Sequence, residues 1–159
     1  MKLRKIVVAT DFSDGSLAAI ETALNLALES DATLYLIHVM EFVLEATAPM
    51  VGVVGPSLEE LCHNEKVRLQ AMLPRNYDKK VRIETEVLIG SATREIANFA
   101  RQKEADLIIA GTHGRRGLTR MLMGSTAEGL LRHAPCQVLV VKPKVCSETN
   151  PAQADGNVH

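Results

Sequence analysis

Tryptophan is absent from this chain and aromatic residues make up only 3% of it. That is too few to build the stacking platform on which single-stranded nucleic acids are held. A basic excess is missing as well: 18 Lys and Arg stand against 19 Asp and Glu, for a formal charge of -1. Duplex binding draws on cationic neutralisation of phosphates, so no nucleic-acid partner is expected. No apolar run approaches the roughly 18 residues of a membrane span, so no membrane partner is expected either. The early apolar residues Ile6–Ala9 stop at Thr10-Asp11, too short for the core of a signal peptide, and read as a strand. Cys62, Cys136 and Cys146 show no CxxC spacing, which speaks against a disulfide framework and for reduced thiols in the cytoplasm. His38, His63, His133 and His159 lack the spacing of a zinc site, so no protein-held metal is expected. There is no internal repeat and no low-complexity segment.

What is present is ordinary globular material: 159 residues, 47% hydrophobic and 23% charged. That is enough for one domain burying roughly 70% of its unfolded surface. Short apolar runs alternate with helical patterns. Ile6–Ala9 is a strand. Ser13 or Asp14 caps a helix with Leu17, Ile20, Leu24 and Leu28 as its apolar stripe. Leu34–Val39 is a second strand, and residues 41–56, with Pro49, Gly52, Gly55 and Pro56, read as a long mobile loop. Ser57-Leu58-Glu59-Glu60 is a capping box opening a helix to about Leu73, with Leu58, Leu61, Leu69 and Met72 facing the core. Val81–Val87 alternates apolar and polar residues, as a strand with one wet face near a sheet edge does. Gly90-Ser91 opens a helix through Ile96, Phe99 and Ala100. Leu107–Ala110 is a buried strand, Ser125-Thr126-Ala127-Glu128 a second capping box, and Val138–Val141 the last strand. Cys136, just before that strand, reads as core. Residues 144–159 read as a flexible tail after a domain over 1–143. Five strands alternating with four helices predict an α/β fold: one doubly wound, five-stranded parallel sheet with helices on both faces.

One stretch carries chemistry, from Gly111-Thr112-His113-Gly114-Arg115-Arg116 to Met123-Gly124-Ser125-Thr126. It follows a strand and ends where a helix begins. Glycines let backbone N–H groups approach an anion, and an exposed helix start favours phosphate. The Ser125 and Thr126 hydroxyls add donors. No Gly-Lys-Ser/Thr follows, so this is not a Walker A loop. A plain glycine-rich turn, with Ser125 only capping the helix, explains the same residues. His113 is a candidate phosphate contact or a passive loop residue. Arg115, Arg116 and Arg120 are candidates for terminal phosphates or a partner, and solvated loop charge is the commoner fate of such residues.

This loop and the alternation around it resemble the universal stress protein family, in particular its nucleotide-binding branch. That branch carries Gly-x2-Gly-x9-Gly-Ser/Thr, matched here by Gly111, Gly114, Gly124 and Ser125. Ile6–Ser13 resembles the family's opening strand with its acidic residue, His38-Val39 the end of its second strand, and His133–Val141 its closing segment. The resemblance implies a sheet in the order 3-2-1-4-5. Strands one and four then flank a switch point, where ligands bind beyond the strands' C-terminal ends. It also implies a site for ATP or another adenine nucleotide. Ala9, Thr10 and Val39 would lie near the base, and Asp11 would face the ribose or a phosphate-bound Mg²⁺ or Mn²⁺. Gly111, Thr112, His113, Gly114, Arg115, Gly124, Ser125 and Thr126 would wrap the phosphates. A helix-start carboxylate without a ligand is the alternative for Asp11. The family further implies a cytoplasmic, stress-response regulatory homodimer, paired through strand 137–142, with protein partners the sequence does not identify. Little or no hydrolysis is expected, since neither Asp11 nor His113 has a recognisable catalytic partner. A slow ATPase or another nucleotide-dependent enzyme is one alternative. A ligand-free interaction module is a second, which the intact loop glycines argue against.

Overall fold

The computed structural model describes residues 2–41, 56–74, 80–112 and 123–143. The expected tail 144–159, most of the expected loop 41–56, and His113, Gly114, Arg115, Arg116 and Arg120 lie outside the described residues. Strand β1 (Lys5–Thr10) carries Ile6, Val7 and Val8, none of them with any exposure. Consecutive β-branched side chains buried on both sides are the mark of a parallel strand covered on two faces. In chain order follow α1 (Asp14–Ser30), β2 (Thr33–Met40), α2 (Leu58–Ala71), β3 (Ile83–Ile89), α3 (Ala92–Lys103), β4 (Leu107–Gly111), α4 (Ser125–His133) and β5 (Gln137–Val141). The five strands form one sheet in the order β3-β2-β1-β4-β5, and every neighbouring pair is parallel.

Strand alternation sorts the core into two layers. Ile6, Val8, Leu34, Leu36 and Ile109 face α1 and α2, while Val7, Tyr35, Ile37 and Ile108 face α3 and α4. Each fully buried aliphatic side chain contributes about 1.5–3 kcal/mol, so the strands' own residues supply most of the driving force. The α1 stripe differs from expectation. Ile20 and Leu24 are buried, but Leu17 is 47% and Leu28 44% exposed, and the seam is completed by Ala19, Ala23 and Ala27. Small residues let this helix lie close to the sheet, which turns its larger flanking leucines outward. On α2 only Leu69 is buried, and Leu58 is half exposed. That helix covers the margin of the sheet, over β2 and the edge strand β3, so little of its surface is enclosed.

The helix ends follow their capping chemistry, with two departures. Ser57 and Glu60 form the reciprocal capping box: Glu60 N donates to Ser57 Oγ at 3.1 Å, and Ser57 N to Glu60 Oε2 at 2.7 Å. At α4 the expected box is not made. Gly124 is the cap residue, Ser125 is already helical, and glycine has no side chain with which to cap. At α3 the side chain of the cap residue Ser91 makes no cap bond; Glu41, just past β2, supplies one instead, its Oε1 accepting from Ala92 N at 3.0 Å.

At the switch point β4 and α1 approach closely, backbone to backbone. A Cβ on Gly111 would lie 2.7 Å from the carbonyl oxygen of Gly15 and 3.2 Å from the nitrogen of Ser16. Gly111→Ala is therefore expected to force α1 off the sheet and cost about 1–3 kcal/mol. Gly124 has φ -59°, open to any residue, so Gly124→Ala should cost less than about 1 kcal/mol; urea titrations of both variants check the contrast.

Cys136 packs against the α3/α4 layer. Burial pushes its thiol above the usual range, and the nearby Asp106 carboxylate adds to the effect. A raised thiol pKa means less thiolate at neutral pH. Iodoacetamide should thus label Cys136 more slowly than a free cysteine at pH 7.5, with the rate still climbing above pH 9, as peptide mapping by mass spectrometry would show.

Candidate functional site

The strand order puts β1 and β4 side at side, with the chain leaving them toward opposite faces of the sheet. Folds of this kind take ligands beyond the C-terminal ends of such a pair of strands. Ala9 and Val39 pack at the edge of the α3/α4 layer. Thr10 ends β1 and is 5% exposed. Its hydroxyl pairs with Ser16 Oγ at 2.8 Å and accepts from Phe12 N at 3.0 Å. Asp11 follows, half-buried, its Oδ1 accepting from Ser13 N at 3.0 Å and from Ser13 Oγ at 2.5 Å. Ser13 caps α1 in turn, its side chain accepting from Ser16 N. Asp11 is thus fixed at the start of a helix, where the dipole favours a carboxylate.

On the β4 side, Gly111 is pressed against α1 as described, and Thr112 is buried. Thr112 N donates to Val141 O at 2.9 Å, and Gly124 N to Thr112 O at 2.7 Å. These bonds bring the start of α4 back to the tip of β4, so Thr112, Gly124, Ser125 and Thr126 do come together. They also direct the Thr112 and Gly124 amides into the protein. The first-turn donors of α4, at Ser125, Thr126 and Ala127, have no acceptor within the helix. Glu128 N already bonds Gly124 O at 3.0 Å. An anion is the natural acceptor for such a helix start. His113, Gly114 and Arg115, the middle of the expected phosphate wrap, lie outside the described residues. Among the described residues no cluster of three or more His, Cys, Asp or Glu could hold a metal ion, and no helix is long and apolar enough to cross a membrane.

The structure adds neighbours that spacing did not single out. His38 Nδ1 lies 2.8 Å from the carbonyl oxygen of Thr10; since a carbonyl only accepts, Nδ1 carries the proton. The Phe12 ring lies 4.4 Å from the imidazole of His38 and 3.9 Å from the Arg68 guanidinium. Glu65 Oε2 sits 3.7 Å from Arg68 and 4.0 Å from His38 Nε2. The signal in the sequence was a lone imidazole inside the otherwise apolar run Leu34–Val39, a buried polar group that must find a partner.

The universal stress protein family model matches residues 2–142. Universal stress protein MJ0531 of Methanocaldococcus jannaschii is 41% identical over 145 residues, spanning 87% of this chain and 82% of its own. Two solved universal stress proteins share the fold. One, solved in complex with cAMP, has a TM-score of 0.59 at 24% identity, over 91% of this chain and all of its own. The other, from Archaeoglobus fulgidus and in complex with dAMP, has a TM-score of 0.58 at 20% identity, over 88% of this chain and 98% of its own. The chain belongs to the universal stress protein family.

Ser13 serves both the helix and Asp11, so Ser13→Ala should destabilise the domain by about 1 kcal/mol, read as a lower midpoint in thermal unfolding followed by circular dichroism.

Proposed function

We propose that this chain binds an adenine nucleotide, ATP in the first instance, at the tips of β1 and β4, and that it acts as a homodimeric regulatory protein in stress responses. The observation that carries this reading is the start of α4. The start of α4, whose cap residue Gly124 has no side chain to offer, is held beside the tip of β4 by the Gly124–Thr112 bond, one strand over from a fixed carboxylate at Asp11. Phosphates satisfy the first and ribose hydroxyls, or a divalent ion, the second. In this reading Ser125 and Thr126 donate to phosphate, with Gly111, Thr112, His113, Gly114, Arg115 and Gly124 framing the loop. Ala9, Thr10 and Val39 border the base, and Mg²⁺ or Mn²⁺ enters with the nucleotide. The cAMP and dAMP complexes of two fold neighbours support an adenine nucleotide as the ligand class. The role is binding and signalling, with hydrolysis slow or absent.

The dimer is proposed to form through strand 137–142. β5 is an edge strand, and its Leu139 is 37% exposed, an apolar margin that pairing with a second copy would cover. A second reading, a ligand-free interaction module, has one observation in its favour. Gly111 is required by packing against Gly15, and the amides of Thr112 and Gly124 bond carbonyls of the protein. These residues are therefore accounted for without a nucleotide.

Titration calorimetry with ATP and Mg²⁺ separates the two. Binding is expected, weakened about tenfold or more by Asp11→Ala, which removes a charge-assisted pair of hydrogen bonds. No heat at millimolar ATP, with no nucleotide released by acid extraction of the purified protein, would leave the interaction module as the function.

A further inference from the structure

Phe12 is a bulky residue in the left-handed region of backbone space, with φ +65°. An L-residue held there is strained, and such strain persists only where the surroundings over-determine it. Here the surroundings come from two other elements. From β2, His38 donates Nδ1–H to Thr10 O, 2.8 Å away, on one side of the turn. Its imidazole also lies against the Phe12 ring, centroids 4.4 Å apart. From α2, the Arg68 guanidinium covers that ring at 3.9 Å, a favourable cation–π distance. Arg68 is itself steadied by Glu65 of the preceding turn, 3.7 Å away. Phe12 is thus gripped between an imidazole and a guanidinium, with Asp11 on the peptide between Thr10 and Phe12.

We propose that His38 and Arg68 are positioning residues for Asp11. By clamping Phe12 in its left-handed conformation they set, together with the Ser13 bonds to Oδ1, the direction of the Asp11 carboxylate, and they make the docking of α2 a determinant of nucleotide affinity. This rests on the nucleotide reading above, and deepens it by adding two residues that touch no nucleotide in that reading. The coupling has a physical route. Within the turn, Phe12 N donates to Thr10 Oγ1 and Ser13 to Asp11 Oδ1; the Thr10 carbonyl and the Phe12 ring are the handles by which β2 and α2 hold the same three residues. Fixing both leaves the intervening residue little freedom. Releasing one lets the strained Phe12 relax toward negative φ, which rotates the peptide that carries Asp11. Asn shares with His the position of its first donor beyond Cγ, so His38→Asn keeps the bond to Thr10 O and His38→Leu does not.

The test has two arms. In the ligand-free protein, NMR-detected amide exchange at Phe12 and Ser13 should quicken about tenfold in His38→Leu and in Arg68→Gln, and return toward the native rate in His38→Asn. In calorimetry with ATP and Mg²⁺, His38→Leu should weaken binding roughly three- to tenfold. It should do so only while Asp11 is present, the loss vanishing in an Asp11→Ala background. Unchanged exchange in both clamp variants overturns the proposal. So does a loss of affinity that is the same with and without Asp11, which would mark His38 as a general support of the fold. If His38→Leu does not fold, Arg68→Gln carries both arms. Absence of ATP binding in the native protein is a different result: it removes the nucleotide reading, and the role of the clamp toward a ligand with it. Failure of the exchange arm alone leaves that reading standing.

Discussion

The main-chain pairing of β1 on both of its edges, with β2 on one side and β4 on the other, is the constraint from which the site follows. A strand laid down first and kept central forces the chain to build outward in one direction and then return to build in the other. The helices that follow β1 and β4 are thereby committed to opposite faces, and nothing of the sheet's own backbone closes the gap above their ends. The consecutive burial of Ile6, Val7 and Val8 is what makes the central position stable, since an edge position would leave one side of that strand wet.

A second constraint sharpens the first. The contact of Gly111 with Gly15 and Ser16 draws α1 tightly over β4, and the alanine seam of α1 continues that closeness along the helix. Glycine at position 111 therefore has a packing explanation that does not involve any ligand. Gly124 has an ordinary φ, and its amide serves to tie α4 to Thr112. Two glycines of one motif thus do different physical jobs, which a pattern written in letters treats as equivalent.

The architecture was largely legible in the residues, because it depends on periodicity. Uninterrupted apolar runs marked β1, β2, β4 and β5, alternation marked β3 as an edge, and Ser57 with Glu60 marked the start of α2. What was misjudged depends on distance in space. Leu17 and Leu28 fit a helical stripe, but the helix lies so close to the sheet that alanines fill the seam. Ser125 fits a cap, but the bond from Gly124 to Thr112 sets the helix start one residue earlier. Of the site, Asp11 and the start of α4 were visible as an acidic strand tip and a glycine-rich approach. Of the neighbours of Phe12, His38 showed only as a lone imidazole in an apolar run, and Glu65 and Arg68 not at all, since their meeting with Phe12 depends on how α2 crosses β2, and no local spacing encodes a crossing.

The carboxylate of Glu41 on Ala92 and the reciprocal bonds of Ser57 with Glu60 stand at the two ends of the stretch 42–55. Each end is moored to a helix by its own hydrogen bonds. Relatives could therefore carry inserts or deletions in this interval without passing the disturbance to the sheet, because doubling the length of a tethered segment costs only about 0.6 kcal/mol in closure entropy. The elements on either side thus keep their register through bonds of their own, whatever the length of the interval.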